Sequence, residues 1–211
     1  MKKFFCLHGL PRAGNTLLGS IINQNPKVAV TANSLIADML GELYLLKHTD
    51  IFKNFPDHKS FDNVTKSLIQ TYYKDWPQDY IIDRAPWGIP VNLKFLREVQ
   101  KDIKIIVLVR DVEEILASFI KWSEREPTSF VNQFKAKTVE EKCDMLMNKE
   151  GQIVKELIGI KHLLDHQPKE MYHIVEYNDL CDNPKQTIED IYDFLGIYRF
   201  NHRYTNLDQF Y

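Results

Sequence analysis

Short apolar runs alternate along the chain with longer segments in which apolar residues recur at helical spacing. The short runs are rich in aromatic and β-branched residues and lie at positions 3–7, 80–82, 103–109 and 172–175. Because runs of this kind between amphipathic segments are typical of buried parallel strands, we predict four strands of one parallel sheet.

Helical patterns fill much of the sequence between these strands, at positions 16–23, 112–122, 138–166 and 183–195. Asp111 is the predicted N-cap of the second helix, and Gly196 ends the fourth. Thr138 and Glu141 form a predicted capping box at the start of the third. Strands that alternate with helices predict an α/β fold, a three-layer domain over residues 1–211 with a central parallel sheet flanked by helices. Ligands of such folds bind at the carboxyl ends of the strands.

Composition and charge exclude several classes of protein. The 211 residues include 44% hydrophobic and 27% charged residues, as expected of one globular domain with a proper core. A net charge of −2 gives no overall attraction to nucleic acid or to an anionic membrane, and no segment has the length of a membrane span. The three cysteines are scattered, which favours a reducing, cytoplasmic location over a disulfide framework or a metal site.

The first predicted strand leads into a glycine loop and then into a helix, in the sequence G-L-P-R-A-G-N-T. Gly9 and Gly14 have the spacing of the phosphate loop G-x-x-x-x-G-K-[ST], and Thr16 occupies its last position. Backbone N–H groups of such a loop and of the following helix point towards a bound anion. The lysine position, however, is Asn15, and the basic residue of the loop is Arg12. The loop therefore predicts a site for an anion that needs an arginine but no lysine.

A second candidate site follows the third predicted strand, where Arg110 ends the strand and Ser118 lies eight residues later on the next helix. An arginine in this position can bind phosphate through two parallel N–H···O bonds, and a helix hydroxyl can add another. The alternative is that Arg110 pairs with Asp111 or Glu114 and that Ser118 fills a small gap. Asp111 also has the position of the magnesium-binding aspartate of nucleotide hydrolases, with helix capping as its alternative role.

Charged and aromatic residues also follow the second and fourth strands. Asp83 and Arg84 come directly off the second strand, close enough to the glycine loop to touch a reacting group. A weak surface ion pair is the alternative interpretation of these two residues. Tyr177 follows the fourth strand, and its ring either covers a purine or packs in the core.

Together these segments resemble the sulfotransferases that use 3′-phosphoadenosine 5′-phosphosulfate (PAPS). The family's loop P-[RK]-x-G-[TN]-[TS] corresponds here to residues 11–16, and its strand-end arginine and helix serine correspond to Arg110 and Ser118. The family's [DE]-K-x-P element corresponds to residues 83–86 with arginine in place of lysine, and its late Y-x-[DE]-L segment begins at Tyr177. The P-R-x-G form of the loop is most similar to tyrosylprotein and related bacterial or viral-type sulfotransferases.

The resemblance implies a P-loop fold and the transfer of a sulfuryl group from PAPS to a hydroxyl or amine of a small-molecule or peptide acceptor. The donor-binding residues that it implies are Arg12, Ala13, Gly14, Asn15, Thr16, Arg110, Ser118 and Tyr177. The catalytic residues that it implies are Arg12 at the leaving group, Arg84 at the sulfuryl oxygens, and Asp83, which steers Arg84 or acts as base. Because a sulfuryl group has one ionisable oxygen, less charge needs neutralising than in a triphosphate, and no metal site is expected.

The sequence departs from the family at the general base. Tyrosylprotein-type enzymes carry a glutamate twenty-one residues after the loop arginine, where this chain has Asn33. The remaining candidates for the base are Asp83, His8, Asp38 and Glu42. His8 is more readily explained as a hydrogen-bonded structural histidine. In the basic, aromatic tail, Arg199 and Arg203 are candidates for closing over the 3′-phosphate.

The residues also leave two other functions open. A phosphate-loop kinase that uses Mg-ATP would explain the glycine loop, but it would leave Arg110 and Ser118 without a purpose. A catalytically degenerate member that binds nucleotide and serves as an interaction module is favoured by Asn33. The aromatic residues that could line an acceptor pocket, or simply fill the core, are Trp76, Trp87, Phe119, Trp122, Phe130 and Phe134.

Overall fold

The computed structural model describes residues 2–133 and 135–208, which form a five-stranded parallel sheet surrounded by helices. The strands are β1 (Lys3–Gly9), β2 (Val28–Val30), β3 (Tyr80–Arg84), β4 (Ile105–Val109) and β5 (Tyr172–Glu176). Their order across the sheet is β2-β3-β1-β4-β5, and each neighbouring pair is parallel. The predicted α/β fold with a central parallel sheet is confirmed.

Within the described residues the strands are connected by ten α-helices. They are α1 (Asn15–Ile22), α2 (Ile36–Leu46), α3 (Asp50–Asn54), α4 (His58–Tyr72), α5 (Pro90–Val99), α6 (Val112–Arg125), α7 (Val139–Leu146), α8 (Gln152–His166), α9 (Tyr177–Asp182) and α10 (Pro184–Leu195). Helices α2, α4 and α5 pack on one another, α8 packs against β1, and α10 packs against β5. In this described part of the chain, no helix combines the length and the apolar character needed to cross a bilayer.

The predicted helix ends are confirmed at three places. The Asp111 carboxylate accepts hydrogen bonds from the N–H groups of Glu113 and Glu114, so this residue caps α6. Thr138 and Glu141 form the capping box at the start of α7. Gly196 ends α10 in the left-handed conformation, with φ of 68°.

Two elements differ from the sequence prediction. Strand β2 was not predicted, because three residues are too few to give a periodic signal. The single helix predicted over 138–166 is two helices, α7 and α8, separated by a turn at Gly151. A Cβ on Gly151 would lie 2.8 Å from the carbonyl oxygens of Leu146 and Asn148, so this tight turn requires glycine.

The sheet order places the glycine loop at the centre of the carboxyl edge. Strand β1 lies between β3 and β4, and the register pairs Leu7 with Arg84 and Gly9 with Leu108. Residues Phe4 to Leu7 of β1 are buried in the core, so the loop is anchored at its base. The loop therefore lies between Arg84 on one side and Arg110 on the other, at the position where open α/β sheets bind ligands.

Candidate active site

The loop between β1 and α1 has a backbone that suits anion binding. Arg12 (φ 60°) and Gly14 (φ 93°) both have left-handed conformations. Such conformations within a turn direct neighbouring N–H groups towards a common concavity. Gly14 is also the N-cap of α1, and it has no side chain that could accept from the N–H groups of the first turn. The positive end of the helix dipole therefore faces the space above the loop.

Close contacts also require glycine at both ends of this loop. A Cβ on Gly14 would lie 2.7 Å from the ring of Tyr177, and a Cβ on Gly9 would lie 1.9 Å from Oδ1 of Asn15. Asn15 is buried under the loop, where Nδ2 donates to the carbonyl oxygen of Leu10 at 2.8 Å. Its side chain therefore braces the loop from within, where the phosphate-loop lysine of kinases would reach the phosphates.

Four predicted site residues from different elements converge beside the loop. Nε of Arg12 donates to Oγ of Ser118 at 3.1 Å, and the Arg110 guanidinium donates to the carbonyl oxygen of Arg12 at 3.1 Å. The Arg110 guanidinium carbon also lies over the ring of Tyr177, 4.0 Å from the ring centroid. The side chain of Tyr177 therefore supports Arg110 and contacts Gly14.

Arg110 also forms the ion pair that the sequence offered as an alternative. Its Nε lies 2.8 Å from Oε2 of Glu114, one turn along α6. Because both side chains are partly exposed, this pair is weak. A guanidinium can bind a phosphate through two parallel N–H···O bonds, so this exposed pair does not prevent Arg110 from binding an anion.

The converging residues line a cavity of about 510 Å³, which we call the loop cleft. Residues 12 and 14–17, Arg110, Ser118 and Tyr177 form one wall. The lining also includes an aromatic wall of Phe119, Trp122 and Phe130, whose ring centroids lie 5.6–6.4 Å apart. The lining of the loop cleft therefore combines groups suited to anion binding with an aromatic wall.

A second cavity of about 330 Å³, which we call the side cavity, adjoins the loop cleft. Its wall includes Gly9, Asn33, Glu150, Lys155 and Glu156. Arg84 and Gln152 line both cavities and mark the place where they meet. Arg84 is held there by hydrogen bonds from its backbone N–H to Thr31 Oγ1 at 2.8 Å and from its guanidinium to the carbonyl oxygen of Ala32 at 2.9 Å.

Residues 5–201 match the model of the Sulfotransferase family. The chain belongs to this family. Its fold is similar to that of a sulfotransferase domain from the curacin biosynthetic pathway, with a TM-score of 0.61 and 18% identity over 94% of this chain and 75% of that chain. A sulfotransferase from Alicyclobacillus acidocaldarius has a TM-score of 0.61 and 15% identity, over 97% of this chain and 85% of that one. A mouse sulfotransferase complexed with PAP has a TM-score of 0.58 and 15% identity, over 95% and 60% of the two chains.

No curated protein sequence matches this sulfotransferase. Its membership of the family confirms the predicted family and sulfuryl transfer as the type of reaction. The structural matches support the same P-loop type of fold. The kinase alternative is not supported by the family to which the chain belongs.

Asp83 of the sulfotransferase does not reach the region where the cavities meet. Its carboxylate is buried in the core, where it accepts hydrogen bonds from Nε1 of Trp87 at 2.9 Å and from the hydroxyl of Tyr73. Burial raises the pKa of this carboxyl, and hydrogen bonds from Ser34, Tyr73 and Trp87 oppose the rise. Because neighbouring residues of a strand point to opposite faces, Arg84 faces the cavities while Asp83 faces away from them.

Several other candidates also lie away from the two cavities. Asp38 and Glu42 are exposed on α2, and neither belongs to a wall of the loop cleft or the side cavity. Arg199 pairs with Glu189 and Asp193, and Arg203 lies 3.8 Å from Asp208. Among the aromatic candidates, Trp87 is buried against Asp83, Trp76 packs on Tyr73, and Phe134 lies outside the described residues.

Sequence reasoning missed Gln152 and Glu156, which reach the site from α8. The buried face of this helix consists of Ile153, Glu156, Gly159, Ile160 and Leu163. A glutamate among the apolar residues of that stripe was the available signal, because an ionisable group rarely occupies a core position without a partner or a function. A single helix over residues 138–166 has a different apolar face, so the position of Glu156 within the buried stripe of α8 was not recognised.

Proposed function

We propose that this sulfotransferase transfers the sulfuryl group of PAPS to a hydroxyl or amine of a small-molecule or peptide acceptor, in the cytoplasm. The observation that carries the proposal is that two cavities meet at Arg84. The loop cleft is lined by the glycine loop with Arg12 and by two further arginines, Arg84 and Arg110. The side cavity lacks Arg12, the basic residue of that loop. A donor in the loop cleft and an acceptor in the side cavity would meet at this residue. The cytoplasmic location is supported by the three cysteines, none of which forms a disulfide.

The residues of the loop cleft fit a nucleotide with phosphate groups at two positions. The left-handed turn at residues 12–14 and the start of α1 offer backbone N–H groups to a 5′-phosphate. Arg110, supported by Tyr177, and Ser118 offer a second anion site for a 3′-phosphate. The aromatic wall of Phe119, Trp122 and Phe130 offers a surface for a purine ring.

PAPS supplies an activated sulfuryl group whose leaving group is a phosphate. Arg12 and the loop N–H groups stabilise the negative charge that develops on that phosphate. Arg84 donates to sulfuryl or bridging oxygens from the point where the cavities meet, and one such donor commonly lowers a barrier by about 3–4 kcal/mol. Asp83 has no chemical role in this proposal, because its buried carboxylate accepts hydrogen bonds from Trp87 and Tyr73 and does not line either cavity.

A thermal-shift comparison tests donor binding. We expect adenosine 3′,5′-bisphosphate to stabilise the protein without added metal, by about 2.7 kcal/mol at one hundred times its dissociation constant. For a chain of this size, that corresponds to a rise in Tm of several degrees. Protection by Mg-ATP without protection by the bisphosphate would instead support a kinase.

A turnover assay tests the reaction itself. The protein is incubated with PAPS and with benzyl alcohol, 4-nitrophenol or benzylamine as simple acceptors, and products are examined by mass spectrometry. We expect at least one acceptor to gain the mass of one sulfuryl group. Binding of the bisphosphate without any product, including from a wider panel of peptides, would instead favour the degenerate nucleotide-binding function.

A further inference from the structure

We propose that Glu156 is the general base that removes the proton of the sulfuryl acceptor, a role that rests on the proposed function above. Glu156 lines the side cavity together with Asn33, which occupies the position of the family's glutamate. The carboxylate that is absent from the loop after β2 is therefore supplied to the same cavity by α8.

The position of Glu156 on its helix directs it to the region where the cavities meet. Gln152 lies one turn earlier on α8, so the two side chains share a face of the helix. Gln152 and Arg84 line both cavities, whereas Glu156 belongs to the wall of the side cavity alone. An acceptor in that cavity would therefore have Arg84 towards the donor and Glu156 beside it.

The surroundings of Glu156 suit a group that takes up a proton. The residue is 8% exposed, in the apolar stripe of α8, and no hydrogen bond reaches its Oε2. The charged and titratable groups near it are His8 from β1 and Arg84 from β3, with Glu150 and Lys155 along the cavity wall. Burial raises the pKa of Glu156 to about 7, and the charge of Arg84 opposes that rise. A base is most effective when its pKa lies near the working pH.

His8 lies beside the Glu156 carboxyl group, and both of its ring nitrogens are already engaged by the backbone. The N–H of Gly88 donates to Nδ1 of His8 at 3.2 Å, so Nδ1 carries no proton. Nε2 therefore carries the ring proton and donates to the carbonyl oxygen of Glu156 at 3.0 Å. Oε2 of Glu156 lies 3.2 Å from Nδ1, whose one lone pair already accepts from Gly88, so His8 offers no proton to this carboxylate oxygen. An electron-rich nitrogen beside a carboxylate oxygen that lacks a donor disfavours the negative charge, so the contact favours uptake of a proton by Glu156.

The proposed step balances as a single displacement. The proton of the acceptor hydroxyl moves to a carboxylate oxygen of Glu156, and the acceptor oxygen forms a bond to sulfur. The bond between sulfur and the 5′-phosphate oxygen breaks, and its electron pair stays on that phosphate, which Arg12 and the loop N–H groups hold. Glu156 then returns its proton to water through the open side cavity.

The test compares Glu156→Gln with Asp165→Asn, which removes a carboxylate from the exposed face of the same helix. With PAPS and benzyl alcohol, we expect kcat to fall by roughly 10²–10⁴ in Glu156→Gln and to stay unchanged in Asp165→Asn. The loss should be much smaller with 4-nitrophenol, because this acceptor ionises near neutral pH without help. In the wild type, kcat/KM should fall as the pH falls below about 7, and this acid limb should be absent from Glu156→Gln.

Two readouts do not depend on turnover. In infrared difference titration, the wild type should show a carboxyl group that protonates near neutral pH, and Glu156→Gln should lack it. Adenosine 3′,5′-bisphosphate should raise Tm equally in both proteins, because Glu156 does not line the loop cleft. Glu156→Asp keeps a carboxylate, so it should retain the acid limb at a reduced rate even if Glu156→Gln folds poorly.

The outcomes separate this proposal from the proposed function. If the wild type converts benzyl alcohol and Glu156→Gln does so at the same rate with the same pH profile, Glu156 is not the base although the enzyme is a PAPS sulfotransferase. An infrared titration without a carboxyl near neutral pH would likewise overturn the assignment. If the wild type neither binds the bisphosphate nor uses PAPS, the proposed function fails and this role fails with it.

Discussion

At the scale of single residues, three arginines from different segments line the two cavities, whereas nucleotide kinases use a loop lysine and a metal ion. Arg12 belongs to the loop, Arg84 lies where the two cavities meet, and Arg110 is braced by the ring of Tyr177. The planar guanidinium has five donors in fixed directions, so each arginine can bond an anion and a protein group together. Arg110 already donates one of these bonds to the carbonyl oxygen of Arg12.

We expect Arg110→Ala to lose discrimination between adenosine 3′,5′-bisphosphate and adenosine 5′-monophosphate. A hydrogen bond to a charged group is worth about 1.5–3 kcal/mol, so the preference of the wild type should be roughly tenfold or more and should vanish in the variant. Affinities from thermal shifts with the two nucleotides measure it. Arg199→Ala is the matched control, because Arg199 is engaged by Glu189 and Asp193. Unchanged discrimination in Arg110→Ala would remove the 3′-phosphate assignment.

At the scale of elements, the glycine loop and helix α8 both contribute side chains or backbone to the two cavities. The loop gains its shape from two left-handed residues and from the Asn15 side chain beneath it. Helix α8 begins at Gln152 as a separate helix, because a tight turn at Gly151 interrupts the helical structure after α7. Helix α8 also packs closely on β1, since a Cβ on Gly159 would lie 2.7 Å from the ring of His8. Small residues therefore set the approach of α8 to the central strand.

Gly14→Ala should destabilise the loop and weaken donor binding. Its left-handed φ of 93° costs an L-residue about 1–3 kcal/mol. The added Cβ would also displace the Tyr177 ring that supports Arg110. Gly41→Ala is the control, because a Cβ there meets open space within α2 and should stabilise the helix by about 0.5–1 kcal/mol. Urea unfolding and the bisphosphate thermal shift measure both effects, and equal behaviour of the two variants would contradict this account of the loop.

At the scale of the whole molecule, His8 joins three parts of the fold. It lies on the central strand β1, bonds to the backbone of α8, and accepts from Gly88 in the segment before α5. Burial lowers the pKa of His8 to about 4, while burial raises that of Glu156 to about 7. Protonation of each group is therefore linked to folding, and the two groups change the free energy of unfolding with pH in opposite directions.

The signs predict a specific change in the pH dependence of stability. Unfolded His8 binds a proton near 6.5 and folded His8 near 4, so its contribution increases the free energy of unfolding as pH rises between these values. Folded Glu156 keeps its proton up to about 7 and unfolded Glu156 up to 4.5, so its contribution decreases that free energy as pH rises. The two slopes nearly cancel in the wild type.

Glu156→Gln removes the opposing contribution. Between pH 4.5 and 6.5, its free energy of unfolding should rise with pH more steeply than that of the wild type, by up to about 1.4 kcal/mol per pH unit. Urea unfolding at a series of pH values measures the slopes. Asp165→Asn should run parallel to the wild type over this range, and parallel curves for Glu156→Gln would contradict the assigned protonation states.

The sequence by itself determined the features that depend on neighbouring residues. The apolar runs predicted four of the five strands, and the residues Asp111, Thr138 and Gly196 predicted helix ends, because caps act within one turn. The spacing of the loop and of Arg110 and Ser118 predicted one anion-binding site, and the structure brings these residues together. The order of the strands across the sheet could not be predicted in this way, because it depends on contacts between distant segments.

Tertiary structure alone decided which side chains of those segments face the reaction. Asp83 and Arg84 are neighbours in sequence, yet strand alternation sends Asp83 into the core and Arg84 to the cavities. Glu156 shares the side cavity with Asn33 and lies beside His8 only because α8 packs over β1. No pattern of nearby residues encodes the proximity of positions so far apart in the chain. Burial, which sets the protonation of Glu156 and His8, is likewise a property of the packed molecule.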